Sequence, residues 1–79
     1  MIDFFVRNRG EWFDVRTIVR HISWNKSKIY QSLYLLVDYG VIKQRDKPSD
    51  SRAKLYAFDE ESETGILFLT LYSKLKERV

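Results

Sequence analysis

NKSKIYQSLYLLVDYGVIKQRDKPSDSRAKLYAF, residues 25–58, changes its period half way. Up to Tyr39 the apolar residues Ile29, Leu33, Leu36 and Val37 recur at helical spacing and share one face. Asn25 stands just before them, where its side-chain oxygen can accept from a free N–H of the first turn. Gly40 stands just after, where the left-handed conformation that closes a helix carries no steric penalty. From Val41 the pattern becomes that of strands. VIKQRDK and AKLYAF alternate or run apolar, with β-branched and aromatic members. Between them lies a polar tip of five or six residues, with Pro48 and Ser49 at the turn and Arg52 beyond it. A plain hairpin needs only a tight turn, so this tip is built to reach something.

Upstream, VRTIVRHI places Val15, Ile18, Val19 and Ile22 on one stripe of a short helix, with Asp14 as its N-cap and Arg16 and Arg20 off the stripe. SWN separates it from the helix of residues 26–39, and two helices joined so closely make a helix-turn-helix. Ile2, Phe5 and Val6 predict a first short helix that Gly10 stops, and EWF reads as a brief strand. The tail DEESETGILFLTLYSKLKERV gathers acids at its start and Lys74, Lys76 and Arg78 at its end, as a helix dipole favours. A final helix is expected there, with a strand as the alternative because of Gly65 and the alternation in GILFLTLY. The predicted class is α+β, a winged helix-turn-helix. It has a three-helix core, a short strand plus a two-stranded wing over residues 1–58, and a C-terminal helix over 59–79.

Composition narrows the function classes. A chain of 79 residues is one domain with a modest core. It has no cysteine and one histidine, His21, so neither disulfides nor a thiolate metal site is available, and no cofactor is expected. With no clustered nucleophile and base, an enzyme is not expected. There is no membrane-length apolar run and no signal-peptide pattern, and a cytoplasmic protein is expected. The net charge is +3, unevenly spread. Residues 16–54 hold nine basic side chains against three acids, while residues 59–79 hold five acids against three bases. A basic middle is a footprint for a polyanion.

The helix-turn-helix DVRTIVRHISWNKSKIYQSLYLLVDYGVIKQR resembles that of MarR-type winged-helix regulators, with Asn25 as the cap, Gly40 as the glycine and Val41-Ile42 as the step into the wing. The wing RDKPSDSRAKLYAF is similar to the MarR-type wing, whose Asp-x-Arg signature falls on Asp50 and Arg52. The resemblance covers roughly residues 14–58. It implies that Arg52 reaches the DNA minor groove and that Asp50 orients it through an ion pair. The family's usual Leu-Thr after the wing is Ala57-Phe58 here, and the chain is about half the family's length. A small-molecule ligand of the family kind is therefore not expected. In size the chain is similar to the compact winged-helix proteins of archaeal viruses and plasmids.

On the helical period, Ser27, Gln31, Tyr34 and Asp38 lie opposite the core stripe, flanked by Lys28, Tyr30 and Leu35. The N-terminal half of a recognition helix reads base edges. Ser27, Lys28, Tyr30 and Gln31 are therefore the candidate major-groove contacts, and Lys26 a phosphate contact. Arg45, Lys47 and Lys54 of the wing and Arg16 and Arg20 of the preceding helix are candidate backbone contacts, with ordinary strand-edge charge or internal ion pairs as the alternative. Trp12, Phe13 and Trp24 read as core, and His21 as surface. Double-stranded DNA is the expected partner. The final helix is apolar nearly all round. One stripe suffices to dock it, and a second, Leu67, Leu71 and Leu75, predicts a homodimer. A winged helix used for protein interaction, through Tyr30, Tyr34 and Tyr39, is the competing reading.

Overall fold

The computed structural model describes residues 1–77. Its elements are α1 (Ile2–Arg7), β1 (Phe13–Asp14), α2 (Val15–His21), α3 (Lys26–Asp38), β2 (Ile42–Lys47), β3 (Asp50–Phe58) and α4 (Glu63–Glu77). This is the α+β winged-helix order. Arg78, read as part of the basic end of the last helix, lies outside the described residues.

Local chemistry sets most of the boundaries. Asp14 Oδ1 accepts from Thr17 N–H at 2.8 Å and opens α2, and Asn25 Oδ1 accepts from Lys28 N–H at 2.8 Å and opens α3. Tyr39 caps the far end of α3. Gly40 then takes φ +79°, its N–H reaches Val37 O at 3.1 Å, and Val41 N–H reaches Leu36 O at 2.9 Å. Those two bonds satisfy carbonyls that the helix end would otherwise leave open. At the end of α1, Asn8 donates from both its backbone and its side chain to Phe4 O, and the chain turns at Gly10, φ +91°.

The three strands pair antiparallel in the order β1-β3-β2. Phe13 faces Tyr56 and Asp14 faces Leu55. The first strand is thus Phe13–Asp14, displaced from the expected EWF, because β3 supplies its partners only there. Between β2 and β3 the register runs evenly from Ile42↔Phe58 to Asp46↔Lys54 and then jumps to Lys47↔Asp50. Ser51, Arg52 and Ala53 are left without opposite residues, which makes a bulge on β3. The expected polar tip of five or six residues is therefore a tight turn at Pro48-Ser49 with a bulge beside it.

Phe5, Val6, Ile18, Ile29, Leu33, Val41, Ile42, Tyr56 and Phe58 form the core. Leu36, Val37, Phe13 and Trp24 pack around it, half-buried. Trp12 does not join it. Its indole lies under Lys43 and Arg45, with the Arg45 guanidinium carbon 4.2 Å from the ring centroid, so the core reading of Trp12 is corrected. In α4, Phe68, Leu69 and Tyr72 face the core, while Leu67, Leu71 and Leu75 are more than half exposed. The Tyr72 hydroxyl donates to Asp3, which also pairs with Arg7 at 3.2 Å, holding α4 along α1. The start of α4 is tied down by Ser62, whose hydroxyl donates to Gly40 O and accepts from Gly65 N–H at 2.9 Å. A Cβ on Gly65 would stand 1.9 Å from Asp59 O. The glycine that left a strand open in the sequence is there for this close approach at a helix start. No helix among the described residues is long and apolar enough to cross a membrane.

Candidate nucleic-acid interface

The two caps fix where α2 and α3 begin, and the wing folds back beside them. Between the three lies an open groove of about 430 Å³. Arg16 and Arg20 enter it from α2, Lys26 and Tyr30 from the first turns of α3, and Lys47 and Lys54 from the wing. Asp14 and Asp50 are the acids on its wall. Arg16, Arg20 and Lys26 are exposed and have no ion-pair partner among the described residues. Three unneutralised cations beside a helix N-terminus make a strongly anion-attracting wall.

The expected recognition residues divide between three directions. Ser27 and Gln31 are exposed on the outer face of α3, as is Tyr34 farther along. Lys26 and Tyr30 turn toward the groove. Lys28 turns the other way, its ammonium 4.3 Å from the centroid of Trp24. Beneath the helix, burial raises the Tyr56 phenol above its usual range, and the neighbouring Tyr34 and Tyr30 add to the shift.

On the wing, the Arg52 side chain is 94 % exposed. Asp50 Oδ1 accepts from the Arg52 backbone N–H at 3.0 Å and lies 3.7 Å from its guanidinium Nε. That pairing is the one the resemblance implied. The other wing cations are engaged within the protein. Lys54 pairs with Asp46, Lys47 pairs with Asp14 at 3.2 Å, and Arg45 lies over Trp12. The Lys54–Asp46 pair is exposed, and such pairs are worth about 0–1 kcal/mol, so Lys54 exchanging Asp46 for a phosphate oxygen is not energetically forbidden.

Asp14 carries a double load that its sequence position did not reveal. Its carboxyl is lowered from 3.8 to about 2, chiefly by hydrogen bonding from Thr17, with burial opposing and Lys47 adding the smallest contributions. A depressed carboxyl stabilises the fold above its unfolded value, so this contribution is complete above pH 4 and fades as the pH falls toward 2. Arg20, named with Arg16 from the sequence, joins it in the groove. Their i, i+4 spacing puts both on one side of α2.

No protein-family model and no curated protein matches the chain. Among solved structures, two of Lactococcus lactis ZitR are similar, one of a double mutant and one of that mutant in apo form. Each superposes with a TM-score of 0.72 at 13% identity and covers 98% of this chain. The match takes in 49% of the first structure's chain and 56% of the second's, so this chain spans about half their length. At that identity the likeness shows the fold, a winged helix.

Proposed function

We propose that this winged helix binds double-stranded DNA with sequence specificity and acts as a transcriptional regulator. The N-terminal half of α3 enters the major groove, where Gln31 pairs with a base edge and Ser27 and Tyr30 flank it. Lys28 joins them once it leaves Trp24. Arg52 enters the minor groove, whose negative potential favours an arginine. Arg16, Lys26, Arg45 and Lys54 serve the phosphates. The observation that carries this reading is the groove in which cations of α2, α3 and the wing converge beside the exposed Ser27 and Gln31. The similarity to ZitR, a MarR-family winged-helix regulator, supports a regulator in general terms.

Two copies are proposed to join through Leu67, Leu71 and Leu75, the exposed stripe of α4. A two-fold dimer reads two half-sites about 34 Å apart. Selection of bound sequences from a random duplex pool tests both ideas. A palindromic consensus is the expected outcome, and recovery of no consensus would remove sequence specificity. Arg52→Ala should weaken binding and reduce the salt slope by about one. Equal binding by this variant at two salt concentrations would remove the wing contact.

A second reading has its own observation. Tyr34, Leu35 and Tyr39 stand more than half exposed on the later part of α3. They suit a protein partner in a replication or transcription assembly. That reading expects weak, salt-labile DNA binding with no sequence preference, which the same selection distinguishes.

A further inference from the structure

The wing outruns the third strand of its sheet. β1 pairs only with Tyr56 and Leu55, and residues 46–54 continue beyond it as a two-stranded ribbon. Among the described residues, one hydrogen-bonded ion pair joins this ribbon to the rest of the protein: Lys47 Nζ donates to Asp14 Oδ2 at 3.2 Å. The ribbon's remaining pairs, Lys54 with Asp46 and Arg52 with Asp50, are internal to it. Asp14 itself sits where three elements meet. Its backbone belongs to β1, its Oδ1 holds the first turn of α2 through Thr17, and its Oδ2 holds the wing.

We propose that Asp14 and Lys47 form a clasp that sets the angle of the wing over the cationic groove, Lys47 acting as a positioning residue and not as a phosphate ligand. The inference rests on the duplex-DNA reading of that groove and replaces the backbone contact expected of Lys47 from the sequence. The physical basis is the division of labour within one carboxylate. The cap bond already fixes the orientation of Asp14, so closing the pair orders one flexible side chain and not two, which removes much of the entropic cost that weakens surface ion pairs. The Asp14 side chain is only 25% exposed, so the pair is partly shielded from salt. Lys47 would have to abandon a fixed anion to meet a phosphate. Among the described residues, Arg16, Arg20 and Lys26 have no ion-pair partner to abandon.

Two substitutions separate the clasp from the cap. Asn caps a helix as well as Asp, so Asp14→Asn keeps α2 capped and removes the charge. Lys47→Gln removes the other partner. The measurements are amide hydrogen exchange without DNA, and affinity for a random-sequence duplex pool at several salt concentrations. Each single variant should speed exchange in residues 46–54 by roughly two- to fivefold, the scale of a partly exposed pair. Exchange in α2 should not change. Duplex affinity should fall by a similar factor, without the steeper salt dependence that a freed cation would bring. The double variant should be no worse than either single one, since both remove the same interaction. Unchanged exchange in the ribbon would overturn the clasp. So would tighter and more salt-dependent binding by Asp14→Asn, the behaviour of a phosphate ligand released from restraint. A wild-type protein with no affinity for duplex DNA would sink the DNA reading alone, and the exchange data would still decide the clasp.

Discussion

The helices α3 and α4 are similar inside and opposite outside. Each docks an apolar stripe on the shared core, Ile29 and Leu33 from α3, Phe68, Leu69 and Tyr72 from α4. The outer face of α3 carries Ser27 and Gln31, whereas that of α4 carries Leu67, Leu71 and Leu75. The inner faces hold the fold together. The outer faces have no internal work, so their chemistry points to what each one meets. A polar face beside a groove of cations suits a polyanion, and a leucine stripe suits another protein surface.

The contrast can be broken most severely from the inside. Leu33 is fully buried, and Leu33→Ala should cost about 2–5 kcal/mol in urea unfolding through the cavity it leaves. A loss below that range would mean that the inner stripe of α3 is less committed to the core than its burial implies. On the outer face of α3, Gln31→Ala should leave the unfolding midpoint in place. It should lower discrimination at one base pair by about 1–3 kcal/mol, measured with matched and mismatched duplexes. A uniform loss across all sequences would reassign Gln31 to the backbone. The smallest effect on stability is expected on the outside of α4. Leu71 is 55% exposed, so Leu71→Gln should change folding stability by no more than about 0.5 kcal/mol. It should nonetheless shift sedimentation equilibrium from dimer toward monomer. If the variant and the wild type sediment alike, the leucine stripe is not where copies meet.

What the sequence made legible was local. Asp14, Asn25 and Gly40 announced the ends of α2 and α3, because caps and left-handed turns are decided by a residue and its near neighbours. The outward set Ser27, Gln31 and Tyr34 followed from the helical period alone. What stayed hidden was decided by distant chain. The partner of Lys47 lies 33 residues away, and no spacing rule connects a wing lysine to a helix cap. The two-residue length of β1 is a property of β3, which pairs with it. Trp12 looked like core because large aromatics usually are. Its place depends on Lys43 and Arg45 arriving from β2 to lie over it. The division of the wing into turn and bulge is likewise a matter of register, which one strand does not disclose about another.

The bulge at Ser51, Arg52 and Ala53 has a consequence for how this molecule can diverge. These residues owe nothing to the ladder below them, so exchanging or adding a residue there leaves the pairing of Ile42 with Phe58, and everything rooted in the core, untouched. Descendants of the chain could therefore acquire new targets at the fingertip while inheriting the hand unchanged.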